Sequence, residues 1–317
     1  MRRVLNKEHI EGYLFQHDLE LKTVKNETST NYGKEFIAGN VEIAVDEEGL
    51  NVIPVHFTYV TEITNSGKKN ASFTTLKRII DEDKSIVSVG KEEAFKVRID
   101  TALALNDFYT NDDQLISIKT NEGGFISIVN SLCSEKERNT WEADMVITGC
   151  AVVEADPEKN IETDYMRIKG AIFNFRNELL PIEFILRNKD GFKHFEDMDA
   201  SAAEPVFTKV WGRINCLTKT TTIEEETAFG EAAVRTYERK IKEWEITGTP
   251  KIIPYDFGGE DLTADELTRA MQDRELKLAD TKKRNDEYKA QKASNNSVIS
   301  PATQGPKPAV KTGTFTF

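Results

Sequence analysis

The sequence is poor in the residues from which metal and redox centres are built. Among 317 residues it has three cysteines and four histidines. Cys133, Cys150 and Cys216 are widely spaced and odd in number, which excludes a disulfide framework and a C-x-x-C metal knuckle. They read as reduced, buried, small apolar side chains. His9, His17, His56 and His194 lack the H-E-x-x-H spacing that puts two imidazoles on one helix face, and His56, between Val55 and Phe57, reads as an exposed strand residue. No metal ligand is assigned. Long apolar runs are also missing. No window reaches the ~18 residues of a membrane span, and the N-terminus lacks the apolar core of a secretory signal. The expectation is a folded protein of the cytoplasm with no membrane partner.

Catalytic motifs are missing too. There is no G-x-x-x-x-G-K-[ST], no G-x-S-x-G, and Gly123-Gly124 does not complete a G-x-G-x-x-G. Glu82-Asp83-Lys84 looks superficially like the acid-x-Lys of a metal-dependent nuclease, but such triplets arise by chance when 30% of residues are charged. The reading is of a non-enzyme with no catalytic residue and no cofactor. Finally, a basic surplus is missing: the net charge is -12. Affinity for phosphates comes from Lys and Arg, so a nucleic-acid surface here requires acid and base to be segregated, since binding depends on the field of one face. Acid is indeed bunched, at Asp46-Glu47-Glu48, at Glu224-Glu225-Glu226 and from Asp256 to Glu266.

What is present is alternation. Residues 165–175, Y-M-R-I-K-G-A-I-F-N-F, place Met166, Ile168, Gly170 and Ile172 on one face of a strand and Arg167, Lys169, Ala171, Phe173 and Phe175 on the other. Residues 206–214, V-F-T-K-V-W-G-R-I, set Phe207, Lys209, Trp211 and Arg213 against Val206, Thr208, Val210, Gly212 and Ile214. Two faces that mix cations with flat rings suit a flexible polyanion, with cations for phosphates and rings for bases. The alternative is that the rings are core. Candidate DNA-binding residues are therefore Arg167, Lys169, Arg176, Lys209 and Arg213 for phosphates, with Phe173, Phe175, Phe207 and Trp211 for bases. Their counterparts upstream are Lys96, Arg98, Phe108 and Tyr109.

Taken in order, residues 1–33 read as an irregular or short helical lead-in. Residues 34–45 and 51–60 read as paired strands around the turn Asp46-Glu47-Glu48-Gly49. An internal duplication then shows. Phe36 to Val41 matches Arg167 to Ile172, aligning Gly39 with Gly170, and Pro54-Val55-His56-Phe57 matches Pro181-Ile182-Glu183-Phe184. A second echo, Ile147-Thr148-Gly149 and Ile246-Thr247-Gly248, is read as closing each half. Glycine in mid-strand marks a bend or bulge, as a strongly coiled small barrel requires. Each half continues with a partly helical interlude, residues 67–83 and 190–203, and then a strand pair. That is the order of a five-stranded barrel with one strand missed.

This order, and in particular K-V-R-I-D-T-A-L-A-L-N-D-F-Y from Lys96 to Tyr109 followed by a polar turn and another strand, resembles the end of a single-stranded-DNA-binding OB fold. The whole chain is similar to the single-stranded-DNA-binding proteins of tailed bacteriophages. The resemblance implies a mainly β protein with α additions, in which two OB-like five-stranded barrels lie in tandem over residues 34–150 and 151–255. It also implies sequence-tolerant coating of single-stranded DNA during replication or recombination, without metal or catalysis, in the host cytoplasm if phage-encoded.

Residues 256–292 form an acidic segment and a charged helix. Thr263-Ala264-Asp265-Glu266 is a capping box, and Leu267, Ala270, Met271 and Leu278 make a thin apolar stripe, as of a solvated helix docked along one edge of a domain. Residues 293–317 read as a disordered tail. Many members of the resembled family end in an acidic segment that finishes with an apolar residue; Phe317 fits that pattern, and the missing acid does not. Replication or recombination proteins are expected to dock through the acidic segment, the helix or the terminal Phe. The competing reading is a structural or assembly protein of a virion or complex that does not bind nucleic acid.

Overall fold

Alternating burial builds the sheets. Ile37, Val41 and Ile43 are sealed on one strand, and Met166, Ile168 and Ile172 on its counterpart, while their neighbours face outward or pack between units. The computed structural model describes residues 4–64, 66–156, 161–225, 233–251 and 262–297. The strands are β1 (Asn6–His17), β2 (Glu20–Thr23), β3 (Glu35–Ala44), β4 (Val52–Thr61), β5 (Lys96–Tyr109), β6 (Leu115–Val129), β7 (Asn139–Val153), β8 (Tyr165–Phe173), β9 (Leu179–Leu186), β10 (Val206–Glu225) and β11 (Ala233–Gly248). The helices are α1 (Ala71–Glu82), α2 (Ile86–Val89), α3 (Phe192–Glu196) and α4 (Ala264–Ser297).

The pairings close two rings. β1, β3, β4, β6 and β5 join in that order and return to β1, antiparallel except for β4 with β6. β7, β8, β9, β11 and β10 do the same and return to β7, with β9 and β11 parallel. A five-stranded ring with a single parallel contact between its third and fifth strands, and a helix between the third and fourth, is the OB barrel. In the first ring that helix is α1, which buries Phe73, Leu76 and Ile79; in the second it is the short α3, which buries Phe195. The chain is thus mainly β, with two OB barrels in tandem and a C-terminal charged helix.

Three expectations are corrected. Residues 1–33 are not an irregular or helical lead-in, because β1 is the first strand of the first barrel. The boundaries at 34 and 150 move accordingly, since β1 opens the first barrel and β7 opens the second and does not close the first; the boundary at 255 lies outside the described residues. Ile147-Thr148-Gly149 therefore lies on a first strand and Ile246-Thr247-Gly248 on a last one, so this echo does not relate equivalent positions. The duplication of Gly39 with Gly170 and of Pro54 with Pro181 does relate second strands to second and third to third. Residues 298–317, including Phe317, lie outside the described residues, as does most of the acidic segment.

The barrels are joined through their first strands. β1 pairs antiparallel with β7 from Asn6 opposite Ala143 to Ile10 opposite Asn139. Asn139 and Asn51 both donate to the Ile214 carbonyl and accept from backbone amides of β10, and Asn6 bridges the carbonyls of Leu103 and Phe173. Helix α4 starts at the capping box, with the Glu266 amide donating to Thr263 Oγ1 at 3.2 Å and the Thr263 amide to Glu266 at 3.1 Å. It lays Ala270 into a second cluster of Val4, Val146, Ala171, Phe173 and Leu179. Arg274–Asp107 (3.0 Å), Lys277–Glu178 (2.8 Å) and Lys289–Asp113 (2.7 Å) tie it to both barrels.

Gly170 has no room for a side chain. A Cβ there would strike the Val146 carbonyl across the β7–β8 ladder. Gly170→Val is expected to destabilise the chain by about 1–3 kcal/mol, measured by urea unfolding, whereas the same change at Gly191, where a Cβ meets only the Leu186 side chain, costs less.

Candidate nucleic-acid interface

Three rings stand on the wall of one cleft between the barrels. Phe125 on β6 is 80% exposed, Phe175 just past β8 is 63% exposed, and Trp211 on β10 is 39% exposed. The cleft holds 760 Å³, and Asn6, Lys7, Glu8 and His9 of the β1–β7 seam line it together with Thr101, Trp141 and Glu142. That volume falls within the roughly 300–1,000 Å³ of ordinary small-molecule sites.

Local sequence explains why these rings face outward. Trp211 sits at a bulge, where the register against β11 shifts between Trp211 and Gly212. Gly212 lies so close to the Glu245 carbonyl that no Cβ fits, and Gly248 leaves the space that the Trp211 indole covers. Phe125 follows Gly123 and Gly124, which pack against the Phe57 ring and the Asp100 carbonyl. Phe175 lies in the turn after β8, under the Arg176 guanidinium 5.1 Å from its centroid. Phe125 is the ring of the cleft that sequence reasoning misses, because testing Gly123-Gly124 as a phosphate loop says nothing of its neighbour. The signal that could find it is the close backbone approach that strand glycines mark.

The other expected residues do not gather here. Phe173 is fully buried in the cluster under α4 and cannot stack on a base. Phe207 is partly buried beside it. Arg167 is ion-paired with Glu183 at 2.9 Å and Lys209 with Glu142 at 2.5 Å. Arg98 is held at 2.7 Å by the buried Glu11, and Arg213 donates to the Lys136 carbonyl at 3.1 Å. Lys96 stands 5.9 Å from the Tyr13 centroid. Twelve residues along the same strand, roughly 40 Å away, Phe108 and the half-buried Tyr109 sit near the β5–β6 turn, so the first-barrel set is two separate places. Lys169 and Arg176 are exposed, as is Lys7 in the cleft, and none of the three has an ion-pair partner among the described residues. The expected segregation of charge is therefore corrected: carboxylates share the surface with the predicted cations, and the cleft is aromatic with mixed charge.

On the face of β1 opposite to the rings lies an unusual carboxyl group. Glu8 is 2% exposed, and neither of its oxygens has a hydrogen-bond partner among the described residues. Burial pushes its pKa from the ordinary 4.5 to about 8, against the pull of Lys242. The Thr101 hydroxyl and the Trp141 indole N–H, on residues that line the same cleft, are likewise unpartnered among the described residues. Burial also lowers the pKa values of Lys119 and Lys242 nearby.

His9, Glu11 and Cys133 bring ligand-type atoms within 4.8 Å of one another. Their chemistry does not suit a dication. Glu11 already accepts from Arg98 Nε at 2.7 Å and from the Cys133 amide at 2.6 Å, and a fixed guanidinium opposes added positive charge. Burial, then the Glu11 charge, keeps the Cys133 thiol protonated by raising its pKa. All three cysteines are unbridged and half-buried, less enclosed than their sequence context suggests.

The fold and cleft define a tandem OB-barrel protein. The chain belongs to the YorF family, whose pattern matches residues 5–284. Among solved structures it is similar to a deletion mutant of the single-stranded DNA binding protein from Thermus aquaticus, at 13% identity over 82% of this chain and 100% of that one, with a TM-score of 0.45. It is also similar to a replication protein A heterotrimer bound to single-stranded DNA, at 8% identity over 88% of this chain and 70% of that one, with a TM-score of 0.22. No curated protein matches its sequence.

Because the folded-state pKa of Glu8 lies above its ordinary 4.5, its contribution to stability is fully present below that value and is lost as pH rises toward about 8. Glu8→Gln is expected to melt several degrees above wild type at about pH 8 and to converge on it near pH 4, as scanning calorimetry across pH would show.

Proposed function

We propose that this protein binds single-stranded DNA, without catalysis, by stacking bases in the cleft between its two OB barrels. The observation that carries this reading is the convergence of three exposed rings, from three separate segments of the chain, on one cleft. Clustered water-facing rings are costly to leave bare and mark interaction sites, and each base stacked on such a ring contributes about 1–3 kcal/mol. Every base has a flat face, so this mode tolerates sequence. The finer role we propose is protection of single strands in phage-type DNA replication or recombination, in the cytoplasm, with protein partners recruited through the charged helix or the chain's C-terminal end.

The paired cations modify how binding responds to salt. With Lys7 in the cleft and Arg176 beside it free of ion pairs among the described residues, about two phosphates are neutralised there, and the salt dependence is shallow compared with basic DNA-coating proteins. The mixed surface also gives the assembly-protein reading its one support, since ion-paired cations suit protein contacts equally well.

Trp141 and Trp244 are sealed in the core, at 2% and 0% exposure, so Trp211 is the tryptophan that DNA can reach. Oligo(dT) at micromolar concentration is expected to quench its fluorescence, and Phe125→Ala to weaken binding about tenfold. An unchanged spectrum, with no shift of single- or double-stranded oligonucleotides on a gel, would favour the assembly role.

A further inference from the structure

The β5–β6 hairpin reaches well beyond its barrel. β1 flanks β5 only as far as Thr101, and β4 meets β6 only at Glu122, so from there to the turn the two strands form a ribbon with no described strand on either edge. Residues opposite each other across the ribbon share a face. Leu105 with Lys119, Asp107 with Ser117 and Tyr109 with Leu115 take one side, and Asn106 with Ile118 and Phe108 with Ile116 take the other. The first side is engaged: Asp107 is ion-paired with Arg274 of α4 at 3.0 Å, and Lys119 donates to the Glu183 carbonyl of β9. The second side is bare. Phe108, Ile116 and Ile118 are 36%, 38% and 49% exposed, and clustered exposed apolar side chains mark a contact surface.

Helix α4 decides what can reach this strip. Lys289 donates to the carbonyls of Thr110 and Asn111 and pairs with Asp113 at 2.7 Å, so the helix passes the tip of the ribbon. It ends at Ser297, eight residues or about 12 Å further on, and residues 298–317 follow from there. Their sequence carries Lys307 and Lys311 and no Asp or Glu, and it includes Gly313-Thr314-Phe315-Thr316-Phe317. In an extended segment that spacing puts both rings on one side. The ribbon complements the lysines, since Asp112 at its tip and Glu122 at its base have no ion-pair partner among the described residues. Length is sufficient. The way back from Ser297 past the tip to Ile118 is roughly 35 Å, and residues 298–314 can extend over about 55 Å.

We propose that residues 313–317 dock on the outer face of this ribbon, with the Phe315 and Phe317 rings against Phe108, Ile116 and Ile118. Burial of apolar surface on both sides drives the contact, and neither barrel has to move to admit it. The docking does not depend on what the cleft binds. Its consequence is for partners: a protein that takes hold of Phe315 and Phe317 has to compete with the ribbon for them, so the fold itself sets how readily this segment is available.

The test uses the full chain with the photo-crosslinker p-benzoylphenylalanine in place of Phe317, irradiated at two protein concentrations, with adducts mapped by mass spectrometry. Adducts are expected within the same chain at Phe108, Ile116 or Ile118, in a yield that dilution does not change. Ile116→Ser together with Ile118→Ser should cut that yield about tenfold and leave the circular dichroism spectrum as it was, because both side chains already face water. Adducts at Phe125, Phe175 or Trp211, adducts along α4, or no adduct at all would overturn the proposal. So would adducts that join light and heavy chains in an isotopically mixed sample, which would assign the strip to a second copy. An unchanged yield in the double serine variant would overturn it as well.

Discussion

The antiparallel seam between β1 and β7 is the constraint on which the molecule depends. β1 pairs with β3, β5 and β7, and β7 pairs with β1, β8 and β10. Each strand therefore belongs to its own barrel and to the junction, and the buried residues of the two barrels form one continuous core. The rings of the cleft come from segments that this seam sets face to face. The seam also explains the buried polar groups. Where the barrels meet, charged side chains are enclosed: Glu8, Lys119 and Lys242 are of this kind. Lys119 donates to the Glu183 carbonyl and Lys242 to the Lys119 carbonyl, so that β6 of one barrel is held to β9 and β11 of the other.

The same junction changes what the surface charge can do. A guanidinium or ammonium with a carboxylate 2.5–2.9 Å away, as at Lys209 and Arg167, offers a phosphate much less than a bare one. Exposed pairs of this type add little stability, so they are not what holds the fold. Their effect is to leave a surface of mixed charge on which, in the proposed function, attraction for a single strand comes from flat rings, in keeping with the chain's net charge of -12. The helix α4 works in the same sense: it covers Phe173 and turns the outer face of β8 into a packing surface.

Much of the fold is legible in the sequence. Period-two alternation and the aligned Gly39 and Gly170 locate the second strands, and the capping box at Thr263 locates α4. The first strand escapes such a reading because β1 mixes Glu8, His9 and Glu11 with its apolar residues, a pattern that arises when a strand is buried between two barrels and lacks a solvent face. The site is less legible. Alternation tells which side Phe173 and Phe175 take at the strand end, but not that a helix far downstream seals the first and spares the second. It identifies Trp211 and Phe175, and it loses Phe125, whose outward position follows from the tight packing of Gly123 and Gly124. Which cations find carboxylates is a matter of cross-strand register, as in Lys209 beside Glu142, and register is a tertiary property.

Base stacking in the cleft is tested most directly by photo-crosslinking the protein to a single-stranded oligonucleotide carrying iododeoxyuridine, with the adducts mapped by mass spectrometry. Adducts are expected at Phe125, Phe175 and Trp211. Adducts confined to the outer face around Arg167 and Lys169, or to the Phe108 end of the β5–β6 hairpin, would contradict it.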